Sequence, residues 1–527
     1  MKFLKIQNGI STKNVLTIFT LIIGIIIIMP ILFILIESLN LKYFDFSSSL
    51  LNYFFSTFKL VFYTCFISII FAVIPAWIIT FSDIKHKNIF DLLNILPLAI
   101  PGYIMAFTYA DILGFNGYFD IFLQRNFNTR LSLDVLSLEW LSFFLALSLY
   151  PYIYATTRIS FKLIGGTYIG LSEILGLSKI KTFFKIILPL SISAIFSGTM
   201  LVIMEILNEY GAVNYFGIKT FSVGIFKYWF SMDDKSTAIV FSLLLLIIVL
   251  CLMWGLNYIK KNDEKIKYNI KNLNHNYKKK YENKIISFGI VSIPIFFGLI
   301  IPLIFIIKNV KKNFNIYDWG ELFSVFINTF YIALISSIII TVISFFILSV
   351  KRYNKTNKIN LLTIFLSTGY AIPGAVIGLS FMLILQYLSP NLNFLMGTIT
   401  LLIYAYIFRF IAVAIFPIES NFKQQPLKFD ELGKSLNLTS TQIFTKINFP
   451  LSKFAIISSF LLVFIDVFKE LPLTLILRPF NYETLATQAY QYANEEMLSY
   501  SSVYSLSIIV VCSIIIILSK LIFKSKI

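Results

Sequence analysis

The chain has 527 residues, of which 58% are apolar, 17% aromatic and only 13% charged. Soluble domains carry about 25% charged residues, so an ordinary water-soluble protein is excluded and a multi-span membrane protein is indicated. The 44 basic and 26 acidic residues give a formal charge of +18, an excess that needs no nucleic acid because membrane proteins retain Lys and Arg on their cytoplasmic face.

The first apolar run, residues 15–36, is longer than a signal-peptide core and lacks a small-residue cleavage site, so it reads as a retained span. Further runs follow at 61–81, 92–110, 140–157, from 190 onward, and at 238–258, 285–307, 326–348, 361–385, 395–416, 454–468 and 503–518. With the first they make twelve expected spans, most near the roughly 20 residues that cross a bilayer core. An even number puts both termini on one side. Lys and Arg concentrate in the termini and in the loops sharing that side, which makes it the cytoplasmic one. Cys65, Cys251 and Cys512 all lie in apolar runs without metal-ligand or C-x-x-C spacing and read as small core residues. His86 and His275 fall in basic loops and read as solvated. Arg158 stands at a cytoplasmic span end, where basic residues set topology. Arg409 interrupts the tenth span, where it either pairs with an acid or serves function.

Residues 259–284 carry nine lysines against three acids and no apolar run, the composition of a solvated cytoplasmic linker near anionic lipid. The linker lies almost at the midpoint, and the chain is duplicated about it. Ala99-Ile100-Pro101-Gly102 recurs as Ala371-Ile372-Pro373-Gly374, each time inside a span. These prolines either unwind the span beside a cavity or kink it. The expected organisation is a first half at 1–258 with a cytoplasmic loop at 165–189, the linker at 259–284, and a second half at 285–527 with its loop at 420–450.

The two loops match in register. Gly170 through Glu173 to Gly176 is followed ten residues later by Ile186, then Leu188 and Pro189; Glu431 through Asn437 is followed ten residues later by Ile447, then Phe449 and Pro450. Gly176 and Asn437 suit a positive φ that ends one helix. Pro189 and Pro450 suit the start of the next, where a missing N–H costs nothing. The product is a rigid elbow. This pattern resembles the E-A-A-x-x-x-G-x9-I-x-L-P loop of permease subunits of binding-protein-dependent ABC importers, although Gly170 stands for the first Glu and Asn437 for the Gly. The resemblance implies an all-α polytopic permease of the type I, MetI-like fold, with about 12 transmembrane helices in two homologous six-helix halves. It further implies two copies of an ABC ATPase docked on the two loops, a periplasmic binding protein, and a bacterial inner membrane location with cytoplasmic termini. The chain itself lacks a Walker A motif: Gly433-Lys434-Ser435 would need a Gly where Lys428 sits. ATP and Mg are therefore expected on the partner ATPase, with no cofactor or certain metal on this chain and no nucleic-acid partner.

The segments Glu209 to Phe221 and Lys469 to Thr487, continuing to Tyr490 and Glu495-Glu496, resemble ferric-iron ABC permeases in particular. Thiamine, phosphonate and polyamine permeases are relatives. Glu205 and Glu209 lie 16 and 20 residues after Pro189, and Asp466 and Glu470 lie 16 and 20 after Pro450, so the acids are repeat-equivalent. A rise of about 1.5 Å per residue carries them roughly 24 and 30 Å beyond the elbow, near the extracytoplasmic mouth. Two readings stand side by side. Four carboxylates form an acidic vestibule whose oxygens suit a hard cation such as ferric iron, or they pair with Lys469, Lys453 or an arginine and cap helix ends before Pro472. Tyr150, Tyr152, Tyr154, Tyr404 and Tyr406 cluster in spans four and ten and read chiefly as packing residues. A secondary transporter driven by an ion gradient shares the twelve-span duplicated design but leaves the paired elbows unexplained.

Overall fold

The computed structural model describes residues 12–39, 48–82, 85–129, 133–263, 284–354, 356–388, 394–426 and 428–524. All of the regular structure in them is helical. His275 and most of the 259–284 linker lie outside the described residues.

Among the described residues, nine helices are long and apolar enough to cross a membrane, and two bent pairs bring the number to eleven. The remaining expected span, 140–157, lies in helix Leu138–Ile174, whose 37 residues reach about 55 Å. Its four tyrosines and four serines dilute its apolar character. The bent pairs are the two Ala-Ile-Pro-Gly sites. Lys87–Ala99 meets Gly102–Phe127 at 91°, and Asn357–Ala371 meets Gly374–Gln386 at 113°. The cause is local: a residue before proline is pushed out of the helical region, and Ile100 and Ile372 are extended, with ψ of 106° and 124°. Gly102 and Gly374 then each open a new helix. The prolines break these spans rather than merely kinking them.

The helices pack as two compact units. In one, helix Thr12–Leu39 joins those between Phe323 and Thr484; in the other, the helices between Tyr43 and Leu322 join Leu485–Asn494 and the final helix up to Leu521. The units cut across the sequence halves, because the first span of each half packs into the unit built mainly from the other. Thr12–Leu39 lies on Asn357–Thr368, Gly374–Leu388 and Ile399–Gln424. A Cβ on Gly24 would lie 2.2 Å from Leu362 Cδ1, the close approach that small residues permit between membrane helices. Asn354 Nδ2 donates to Thr17 Oγ1 at 2.8 Å, and the Tyr404 hydroxyl donates to the Ile26 carbonyl. In the second unit, Tyr109 donates to the Phe297 carbonyl at 2.5 Å and Tyr118 to Asn309 Oδ1 at 3.2 Å, fixing the helices between Lys284 and Lys312.

Aromatic side chains fill each core. Tyr406, Phe381, Phe410 and Phe468 are fully buried in the first unit, and Tyr150, Tyr154, Phe144 and Phe241 in the second. Helix Ser48–Phe81 exposes Phe58, Phe62, Phe66, Ile70 and Ile74. Their four-residue spacing lays them along one face, apolar as a lipid-facing surface must be.

Candidate functional site

Both elbows have the same backbone. Gly176 and Asn437 are left-handed, with φ of 66° and 56°. One residue further on, Leu177 N–H donates to Ser172 O at 2.9 Å and Leu438 N–H to Gly433 O at 3.0 Å, the bond that closes a left-handed helix end. In the second elbow the next helix is capped reciprocally: Gln442 N–H donates to Thr439 Oγ1 at 3.3 Å, and Thr439 N–H to Gln442 Oε1 at 2.9 Å. One wide, π-type turn follows in each, Phe183–Ile187 and Phe444–Asn448, before helices Leu188–Asn208 and Phe449–Phe468 with Pro189 and Pro450 in their first two positions. Ile447 packs on the short helix, since a Cβ on Gly433 would lie 3.0 Å from its Cδ1. Ile186 and Leu188 are half-buried, and Pro189, Glu431, Phe449 and Pro450 are exposed. Gly170 is half-buried in the last turns of its helix, and Glu173 lies in the same helix with its side chain outside the description. Exposed apolar side chains cluster on each elbow: Ile174, Leu175, Ile180 and Phe184 on the first, Phe429, Leu432 and Leu436 on the second.

The elbows differ in how they are reached. Helix Leu138–Ile174 runs unbroken from span to turn. In the second half, helix Ile399–Gln424 stops ahead of Pro426 and Lys428–Ser435 begins anew. Sequence reasoning passes over the residues at this joint. Arg352, at the end of Trp319–Tyr353, places Nε 2.7 Å from Asp430 Oδ2, the two side chains being 5% and 8% exposed.

The acids and the Ala-Ile-Pro-Gly sites, separate signals in the sequence, come together in each unit. A Cβ on Gly102 would lie 2.9 Å from Glu209 Oε2, and one on Gly374 would lie 3.0 Å from Glu470 Oε1. Each carboxylate also caps the short helix that follows it in sequence. Glu209 Oε1 accepts from Ala212 N–H at 3.0 Å, at the start of Gly211–Tyr215. Glu470 accepts from the N–H groups of Leu473 and Thr474, both at 3.2 Å, at the start of Pro472–Leu477. Each acid thus meets two positive helix ends. Glu470 additionally faces Arg409, with Nε 3.8 Å from Oε1; the register position equivalent to Arg409 in the first half is Ser148. Asp466 pairs with Lys469 at 3.3 Å, and Glu205 accepts from the Tyr152 hydroxyl at 3.2 Å. Pairing and capping therefore occupy Glu209, Asp466 and Glu470.

The tyrosine hydroxyls are engaged inside the units. Tyr154 donates to Asp91 Oδ1 at 2.7 Å, and Tyr406 shares a 2.6 Å bond with Thr474. Asp91 also meets Arg158 at 3.3 Å and Lys520 at 3.4 Å. At the position equivalent to Arg158 the charge is reversed: Glu419 pairs with Lys351 at 2.9 Å. In the connection after Leu477, Arg478 pairs with Glu483, and Tyr482 donates to the Asn328 carbonyl at 3.0 Å. Burial pushes the Tyr482 hydroxyl up to about 12, so it remains a donor. Among the described residues no group of three or more His, Cys, Asp and Glu side chains is placed to hold a metal ion.

A family model described as binding-protein-dependent transport system inner membrane component matches residues 348–526, the stretch that contains the second elbow. The chain is 24% identical over 434 residues to the Fe(3+)-transport system permease protein FbpB 2 of Haemophilus influenzae, covering 80% of each chain. It is also 27% identical over 146 residues to the sulfate transport system permease protein CysT of Salmonella typhimurium, and 24% identical over 219 residues to that of Escherichia coli, covering 27% and 39% of this chain and 50% and 77% of those proteins. The matched domain, the helical fold and the repeated elbows together support a membrane permease of the binding-protein-dependent ABC importer class. Within that class it is similar over most of its length to a ferric-iron permease.

Proposed function

We propose that this permease moves ferric iron from a periplasmic binding protein across the bacterial inner membrane, driven by two copies of a separate ATPase docked on the two elbows. The similarity to the Fe(3+)-transport permease carries the reading, because it extends over 80% of both chains and so includes the fused two-half layout. ATP with Mg is held and hydrolysed on the ATPase. Closure of the ATPase pair pulls on the elbows, and their stiff turns pass that movement to the spans. Both termini and the basic linker face the cytoplasm in this reading.

Glu205, Glu209, Asp466 and Glu470 supply the carboxylate oxygens that a hard cation would meet. In the second half Arg409 offsets the charge of Glu470 and Lys469 that of Asp466, so the weight of cation contact falls on Glu205 and Glu209. A second reading, sulfate, is favoured by the similarity of part of the chain to sulfate permeases; an anion would be drawn to Arg409 and repelled by the acids.

Uptake into vesicles carrying this chain with its ATPase and binding protein tests both. ATP-dependent entry of radiolabelled ferric iron, displaced by unlabelled ferric iron and untouched by sulfate, thiamine, phosphonate or polyamine, is the expected result. ATP-dependent entry of one of those competitors instead would discard iron, and iron entry indifferent to ATP would indicate a secondary transporter.

A further inference from the structure

The second elbow is held by residues of a third helix. Arg352 donates from Nε to Asp430 Oδ2 at 2.7 Å, from Nη1 to the carbonyls of Phe422 at 2.9 Å and Gln425 at 3.4 Å, and from Nη2 to those of Gln425 and Pro426 at 3.5 and 3.4 Å. Its guanidinium also lies over the Phe422 ring, 5.5 Å from the centroid. The carbonyls belong to the end of Ile399–Gln424 and the turn after it, where a helix leaves its last C=O groups unpaired and favours a cation. Asp430 lies in the first turn of Lys428–Ser435, where a helix favours an anion. One planar fork therefore joins the negative end of the span helix to the positive end of the elbow helix, a task suited to the five fixed donors of arginine. The next residue takes the other arm: Asn448 Nδ2, in the wide turn, donates to the Tyr353 hydroxyl at 2.7 Å. The first half has a continuous helix at the corresponding place, which is stiff without a brace. A helix interrupted at Pro426 is not.

We propose that Arg352 is a positioning residue for energy coupling: it fixes the angle between Ile399–Gln424 and Lys428–Ser435, so that a push on the second elbow moves the span instead of flexing the joint. The coupling role rests on the function proposed above, whereas the brace itself is a property of this chain alone.

The test combines a distance and a ratio. Spin labels are placed at Leu436→Cys on the elbow and Phe416→Cys on the span helix, in full-length chain with Cys65, Cys251 and Cys512 replaced by Ala. With Arg352 present the distance distribution is narrow; Arg352→Ala broadens it and adds a second population, and Arg352→Lys, which keeps the charge but not the fork, falls between. In vesicles with ATPase and binding protein, Arg352→Ala retains the ATPase and its hydrolysis while solute taken up per ATP falls about tenfold, within the range of coupling free energies between sites. Should Arg352→Ala fail to fold, Asp430→Asn carries both measurements, since it keeps the side chain's size and removes its charge. A distance distribution superimposable on that of the unsubstituted chain, or an unchanged ratio, overturns the proposal. A chain that retains no ATPase even with Arg352 in place refutes the coupling role together with the proposed function, whatever the label distances.

Discussion

Glu470 holds Oε1 3.0 Å from the point a Cβ would occupy on Gly374, so the broken span and the acid beyond the elbow meet as one piece of structure. Glu209 and Gly102 repeat the relationship in the other unit. A side chain at either glycine competes with a carboxylate for the same space, but the two carboxylates differ in how far they can yield.

Gly374→Ala is the costlier of the two substitutions. Its Cβ would also meet Arg409 Nη1 at 2.9 Å and Leu473 Cβ at 3.2 Å, in a cluster pinned by helix caps. Beside Gly102 the other near atom is Leu145 Cδ2 at 2.8 Å, the movable tip of a side chain. Overpacking costs of about 2 kcal/mol for Gly374→Ala and about 1 kcal/mol for Gly102→Ala are expected, read as a larger fall in thermal midpoint of the detergent-solubilised protein for the former. Equal falls would contradict the difference.

Arg409→Ala leaves Glu470, buried to 2% side-chain exposure, without its cation. Removing one member of a buried pair costs about 3–5 kcal/mol, whereas removing both charges is far milder. The double substitution Arg409→Met with Glu470→Gln is therefore expected to be more stable than Arg409→Ala alone, by thermal midpoint or by recovery of monodisperse protein.

The left-handed turns respond oppositely to substitution. A side chain with a Cβ costs about 1–2 kcal/mol in this conformation, so Gly176→Val weakens the first elbow. Asn437→Gly relaxes the second or leaves it unchanged. Limited proteolysis at the loops reads the outcome: faster cleavage after Gly176→Val, and no increase after Asn437→Gly.

Tyr154→Phe removes a 2.7 Å donor from Asp91 while keeping the ring. Loss of a hydrogen bond to a charged group costs about 1.5–3 kcal/mol. Arg158 and Lys520 still balance the charge of Asp91, so the variant is expected to insert and fold with a lowered thermal midpoint. An unchanged midpoint would mean that the bond contributes nothing.

The elbows are legible in the sequence because turn chemistry is short-range: Gly176, Asn437, Pro189 and Pro450 each act within a few residues of themselves. The acids are legible as repeats, although their partners are not. Arg409 and Glu470 are 61 residues apart in sequence, and a pairing with some acid is as far as Arg409 can be read alone. Arg352 and Asp430 leave no such trace, since an arginine ending a span looks like a topology signal until the fold carries it to the joint. The helix exchange is equally silent. A duplication shows that two copies of a span exist, and only side-chain fit, such as Gly24 against Leu362, decides which copy sits where.

That exchange also sets an order of events during synthesis. Helix Thr12–Leu39 leaves the ribosome roughly 300 residues ahead of its first packing partner, Phe346 near the end of Trp319–Tyr353, whose ring meets that of Phe19, a wait of about 15–60 s at ordinary elongation rates. A lone apolar helix is at no disadvantage in lipid, where its backbone bonds are all internal, so the segment can stay inserted and unpaired through that interval. Helices Lys284–Ile295 and Ile301–Lys312 reach partners already in the membrane. One unit can therefore assemble largely as it is made, while the other closes around a helix that has waited for it.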